Sequence, residues 1–233
     1  SSAASDVYKR QVLDHYIRLD NRIKVINIKS NHGIAQNTNI ALAAATGEFI
    51  GFMDHDDILA PDALFEFVLK LESDSKIDFI YTDEDKVTTD LNKYFQPHFK
   101  PDFNLDLLRS NNYICHFFAV RKTIIEQVGV LCEEYDGAQD YDFILRCTEA
   151  SRKIAHIPRI LYHWRIHNSS TADNPSSKLY AYEAGLHALE AHLKRMNTIG
   201  KVTMRSDYGF YDIEYPLTCL LYTSDAADDL IGV

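Results

Sequence analysis

Residues 31–57 read NHGIAQNTNIALAAATGEFIGFMDHDD, and the fold follows from how this stretch is punctuated. Its alanine-rich centre suits a helix, and Gly47 stands where a helix stops. Next, 48–53 (EFIGFM) is a short apolar run that reads as a buried strand ending on Asp54-His55-Asp56-Asp57. Upstream, 23–28 (IKVINI) is apolar and rich in β-branched residues, and also reads as a strand. Downstream, Pro61 is placed like a first-turn proline, and Leu64, Phe67, Val68 and Leu71 follow at helical spacing. IDFIYT (77–82) is a third strand, leading into an acidic turn, Asp83-Glu84-Asp85. Strand alternating with helix predicts an α/β fold with a mostly parallel central sheet and helices on both faces.

The second half reads as mixed. Residues 94–112 carry Pro97 and Pro101 and look irregular, 114–120 (ICHFFAV) is strand-like, and 122–129 is a short helix closed by Gly129. Gln139-Asp140-Tyr141-Asp142 opens a helix through Arg152, and 160–167 (ILYHWRIH) is a strand. Over 176–197, Leu179, Tyr182, Leu186, Leu189, Leu193 and Met196 form one face of a long amphipathic helix. Two short strands are expected near 200–204 and 209–215.

Composition narrows the function classes. With 46% hydrophobic residues the 233-residue chain can bury a core, and its net charge of −10 argues against non-specific nucleic-acid binding. Cys115, Cys132, Cys147 and Cys219 form no C-x-x-C pair, so zinc-knuckle and redox motifs are not indicated. Scattered thiols suit a reducing compartment. No run reaches the roughly 18–20 apolar residues of a membrane span, and the chain does not open on a secretory signal.

Several clusters could carry chemistry. Three carboxylates at a strand's carboxyl end occupy the position where open α/β sheets bind ligands. Asp54 and Asp56 could hold Mg²⁺ or Mn²⁺ against a diphosphate, because hard oxygen ligands suit such ions. The same residues could equally form a solvated turn capping the next helix, and Asp57 is the best candidate for a structural role. Asp140 is either an N-cap, favoured by the helix dipole, or a general base facing an acceptor hydroxyl. His163 and His167 share a strand face about 13 Å apart at about 3.3 Å per residue, too far to share one ion. His167, at the strand end, is the better site residue. Trp164, the single tryptophan, is either core or a platform for a sugar ring. Asn31, Gly33 and Asn37 resemble a backbone cradle before a helix N-terminus, which attracts anions. Asp83 belongs either to a solvated turn or to a substrate contact.

Taken together, NHGIAQNTNIALAAATGEFIGFMDHDD, PDALFEFV, FIYTDEDK, FKPDFNLDLLRSNNYICHF, YDGAQDYDFILR and IPRILYHWRIHNSST resemble the family-2 glycosyltransferases of the GT-A fold, above all those of O-antigen and rhamnan-type polysaccharide assembly. The resemblance implies an inverting transfer from a UDP- or dTDP-sugar to a glycan or lipid-linked glycan acceptor, in the cytoplasm or at the inner face of its membrane. It implies Asp54 and Asp56 as the Asp-x-Asp motif, His167 as a further metal or diphosphate contact, and Asp140 as catalytic base. Gln139 stands where the wider family has glutamate. Asn31, Gly33 and Asn37 then line the nucleotide pocket, and Trp164, Asn112, His116 and Asp83 are candidate acceptor contacts.

The family's opening strand–helix–strand block, with its acidic pair for the base, has no match here. Residues 1–11 (SSAASDVYKRQ) and the tail 217–233, which closes on CLLYTSDAADDLIGV, resemble translated sequencing-adapter DNA. The transferase domain is therefore expected over 12–216, without its first βαβ unit. Two other functions fit the same clusters: a non-catalytic glycan or nucleotide binder, as an incomplete domain would be, and a metal-dependent phosphohydrolase.

Overall fold

The computed structural model describes residues 3–166 and 179–216. Helix α1 (Ala3–Leu19) leads the chain and its side chains from Tyr8 to Leu19 are exposed. Helix α2 (Ile34–Ala43) and strand β1 (Phe49–Phe52) follow, then a two-residue strand β2 (Ile58–Leu59) and helix α3 (Ala63–Ser73). Next come β3 (Phe79–Thr88), β4 (Tyr94–His98), α4 (Leu105–Ser110), β5 (Phe118–Arg121) and α5 (Lys122–Val128). A 3₁₀ turn (Glu133–Tyr135) leads to α6 (Gln139–Ala150), β6 (Ile154–Ile166), α7 (Leu179–Arg195) and a final hairpin of β7 (Lys201–Met204) and β8 (Tyr211–Glu214).

The class is α/β, as predicted, but the sheet is mixed. Strand order is β1-β5-β3-β6-β2, with β4 also on β3. Among the described strands only β3 and β6 pair in parallel. Strands β1, β3 and β6 do run the same way, as helix alternation requires. The chain, however, returns through β5 into the gap between β1 and β3, antiparallel to both.

Other expectations need correction. Residues 23–28 form no strand: nothing among the described residues pairs with them, and Ile23, Ile26 and Ile28 are exposed. A β-branched run is not a strand without a partner to hydrogen-bond. Asp83, Glu84 and Asp85 do not form a turn but continue β3, where all three are buried. They stay in the strand because partners meet them there: His156 and the Lys100 amide at Asp83, His98 at Glu84, His163 at Asp85. Residues 114–117 are irregular, so β5 starts only at Phe118, and 94–112 contains β4 and α4.

Both faces of the sheet are covered. Phe79, Tyr81, Phe118 and Val120 face a core built with α5, α6 and α7, whereas Ile80, Phe117 and Ala119 face α3 through Ala63 and Phe67. The period-2 alternation of β3 and β5 separates these two cores.

One buried charge ties the sheet's lower edge together. The Asp78 carboxylate, about 1% exposed, accepts bonds from the Arg152 amide (3.0 Å), Nε and Nη2 (both 2.8 Å), and from Arg121 Nε (2.9 Å). The Arg152 guanidinium holds this carboxyl below its usual range. Its folded pKa is depressed, so the stabilisation is complete above the unfolded value and fades as pH falls through the folded one. Asp78→Ala should cost about 2–4 kcal/mol at neutral pH, with a smaller difference from the parent in acid. Urea unfolding across that range measures both; equal midpoints at neutral pH would contradict the role.

Candidate active site

The strand β1 ends at Phe52, and the next residues form one rim of a cleft of about 740 Å³. Met53 and Asp54 supply that rim, Cys115 and His116 lie on the irregular approach to β5, Gln139 and Asp140 open α6, and Trp164 comes from β6. Sheet topology explains the convergence, because β5 lies beside both β1 and β3 and carries 115–116 toward Asp54.

Asp54, Asp56 and Asp57 place one carboxylate oxygen each within 4.8 Å of one another. They are not equivalent. Asp57 is buried, accepting from the Tyr162 hydroxyl and from the Arg165 amide (2.8 Å), and burial pushes its carboxyl up. The same Tyr162 hydroxyl accepts from the Asp54 amide at 3.3 Å. Asp57 therefore anchors the loop to β6; exposed Asp54 and half-buried Asp56 are the candidate carboxylates for a cation. Two hard anionic oxygens beside an open cleft fit Mg²⁺ or Mn²⁺. His167 lies outside the described residues; His163, on β6, is engaged by Asp85 at 2.6 Å.

Across the cleft, Asp140 sits in the first turn of α6 and accepts from Asn112 Nδ2 at 3.2 Å. It is not the helix N-cap, which is Ala138. Asn112 thus bears on Asp140. Gln139 accepts from the Gly137 amide at 2.8 Å and is buried. The His116 ring stacks on Tyr162 (centroids 5.3 Å apart) and stands 6.2 Å from the Trp164 ring. Its Nε2 is 3.6 Å from Asp54 Oδ2.

The floor under His116 is fixed from below. Its amide donates to Glu84 Oε2 at 2.6 Å, and the Lys100 ammonium donates to the carbonyls of Ile114 (2.9 Å) and His116. Lys100 is buried 3.7 Å from Glu84, and burial lowers its pKa. Asp83 belongs to this support, 2% exposed and bonded to the Lys100 amide and His156. It does not reach the cleft, so its reading as an acceptor contact is corrected.

The cradle residues divide. Gly33 has φ +90°, and a Cβ there would lie 2.8 Å from Asp136 Oδ2 on the cleft wall. Asp136 in turn accepts from the Ala35 amide at 3.2 Å, closing the start of α2. Gly33→Ala should destabilise by about 1 kcal/mol or more, by strain and by that collision. A melting temperature equal to the parent's would refute this. Asn31 Oδ1 accepts from the Gly33 amide (3.1 Å) and Asn37 Nδ2 (2.8 Å), knitting the loop to α2. Asn37 lines a separate depression with Ile26 and Ala41. The structure therefore unites Asp54, His116, Trp164 and Asp140 directly, brings Gly33 and Asn112 in through Asp136 and Asp140, and leaves Asn31, Asn37 and Asp83 off the cleft. The sequence reading missed Cys115, Tyr162, Lys100 and Asp136. Cys115 stands in no C-x-x-C pair, and its adjacency to His116 is the one signal the sequence carries for it.

Known proteins resemble this chain in sequence and in fold. The sequence model of glycosyl transferase family 2 matches residues 4–129, more than half of the chain. The chain belongs to glycosyl transferase family 2. The match begins inside the segment read as adapter-derived. O-antigen biosynthesis protein RfbC of Myxococcus xanthus is 36% identical over 215 residues, 92% of this chain and 17% of RfbC. An uncharacterized protein of Sinorhizobium fredii, y4gI, is 42% identical over 193 residues, 82% of this chain and 21% of its own. The chain thus spans about a fifth of these relatives' length. In fold it is similar to S. aureus TarS, solved with UDP-GlcNAc (TM-score 0.60, 18% identity, 79% of this chain and 54% of TarS). It is also similar to the mannosyltransferase PcManGT of Pyrobaculum calidifontis, solved with GDP-Man and Mn²⁺ (TM-score 0.52, 16% identity, 84% and 63%). The architecture is accordingly GT-A. No described helix is long and apolar enough to cross a membrane.

Proposed function

We propose that this family-2 domain, over 12–216, is the catalytic part of an inverting glycosyltransferase in bacterial surface-polysaccharide assembly. It moves a sugar from a nucleoside-diphosphate donor, UDP- or dTDP-linked, to a hydroxyl of a glycan or lipid-linked glycan. The observation that carries this reading is the facing pair across one cleft, Asp54 with Asp56 on one rim and Asp140 on the other. TarS and PcManGT were solved with nucleotide sugars, which supports that donor class. The similarity to RfbC supports the polysaccharide setting.

Asp54 and Asp56 would hold Mg²⁺ or Mn²⁺, with His167 a further candidate ligand; the bound ion neutralises charge on the departing diphosphate. Asp140, oriented by Asn112, takes the proton from the acceptor hydroxyl. The acceptor oxygen attacks the anomeric carbon from the face opposite the diphosphate, so one displacement inverts the configuration. His116 and Trp164 supply flat faces for a sugar ring between the two rims.

The test is incubation of the complete gene product with UDP- and dTDP-sugars, glycan acceptors and Mn²⁺, followed by product analysis. Nucleoside diphosphate released together with a glycoside of inverted configuration is the expected result. Free phosphate as the product would favour a phosphohydrolase, and donor binding without turnover a binding module.

A further inference from the structure

We propose that Cys115, His116 and Asp140 form a second cation site in the cleft, one that takes a soft divalent ion of the Zn²⁺ class. One ligand atom from each lies within 4.8 Å of the other two, and all three residues are half-buried. Thiolate, imidazole and carboxylate are a zinc donor set, and three protein ligands leave a fourth position for water or substrate. This set differs in kind from the all-oxygen pair Asp54 and Asp56, so the two sites sort ions by softness.

His116 carries an independent observation. Its Nδ1 is buried and has no hydrogen-bond partner among the described residues, while Nε2 faces Asp54 at 3.6 Å. A histidine that ligates through one nitrogen and presents the other N–H to a carboxylate is the usual arrangement around zinc. The backbone of 114–116 is held by Glu84 and Lys100, so Cys115 and His116 start from fixed positions.

Electrostatics point the same way. Burial raises the Cys115 thiol well above its usual value, and the Asp140 and Glu84 carboxylates raise it further. Those anions oppose a lone thiolate but attract a dication. On binding, the S–H bond breaks, the sulfur lone pair forms the bond to the ion, and one proton leaves to solvent, with no redox change. Occupation removes Asp140 from proton transfer, so the ion inhibits. Binding stands on the geometry alone; inhibition also rests on Asp140 being the base.

Cobalt(II) is the probe, added to the full chain with Mg²⁺ in excess. One equivalent should produce a thiolate-to-cobalt charge-transfer band with release of one proton per ion bound, and Zn²⁺ should then displace the cobalt and its band without further proton release. Cys115→Ser should abolish the band; His116→Ala should weaken binding about tenfold or more. Cys115→Ala serves if the serine variant unfolds, with circular dichroism checking both. A band that persists without Cys115, or no band in the parent, overturns the proposal. In the transfer assay, Zn²⁺ should inhibit at saturating Mg²⁺, and Cys115→Ser, scored against its own zinc-free rate, should need at least about tenfold more. Cobalt bound as expected with turnover insensitive to Zn²⁺ would overturn inhibition. Absence of any transfer would strike the functional reading and leave the cobalt result standing.

Discussion

Asp140→Asn should lower turnover by about 10²- to 10⁴-fold, the usual contribution of a positioned general base, while donor affinity stays near that of the parent. The substitution keeps shape and one acceptor oxygen, so the bond from Asn112 Nδ2 survives and the first turn of α6 keeps its place. What is lost is the ability to take a proton. The proposed donor contacts, Asp54 and Asp56, belong to the other rim and are untouched by the substitution. A fall in kcat with an unchanged donor dissociation constant is therefore the signature of the base role. A parallel loss of donor binding would make Asp140 a donor contact, and near-normal turnover would remove the assignment. Asn112→Ala separates orientation from chemistry: it should lower kcat less than Asp140→Asn, because the carboxylate remains but turns more freely.

The sequence made some parts of this molecule legible and hid others, for physical reasons. Helix α2 was readable from its alanine-rich centre and α6 from its acidic start, and α3 and α7 from apolar residues at helical spacing, although Leu64 and Val68 of α3 are exposed. Strand β3 was readable up to Thr82, where the apolar run stops. Beyond it, the strand continues through Asp83, Glu84 and Asp85, whose burial depends on His156, Lys100, His98 and His163 arriving from elsewhere in the chain. Local pattern cannot encode such partners. The same limit explains 23–28, whose strand-like composition has no described neighbour to pair with. It also explains the mixed sheet, since the insertion of β5 between β1 and β3 is a long-range choice.

The candidate site divides along the same line. Asp54, Asp56 and Asp140 stood out because carboxylates at a strand end and a helix start are positions of known chemical use. Asp57 was separable from its neighbours only as an expectation; its bonds to Tyr162 and the Arg165 amide give that expectation its content. The supports were silent. Lys100 and Glu84 look like ordinary surface charges in the sequence, yet together they fix the backbone that presents Cys115 and His116 to the cleft.

Removing the divalent ion should be the second large effect. After chelation the complete gene product should lose transfer by about 10³-fold, since Lewis-acid stabilisation of the leaving group is worth several kcal/mol and each 1.4 kcal/mol is about tenfold. Added Mn²⁺ or Mg²⁺ should restore it. Asp56→Asn should reproduce much of that loss and shift the metal requirement to higher concentration, with little change in melting temperature. Asp57→Asn should behave in the opposite sense, since its carboxylate serves Tyr162 and the Arg165 amide rather than the cation, so stability falls while the metal requirement holds. The contrast between adjacent residues is the informative part. General damage to the loop would move both variants together, whereas a cation held by the cleft-side carboxylates moves only one. Full turnover in chelator, or an Asp56→Asn enzyme with the parent's metal dependence, would remove the ion from this cleft's chemistry.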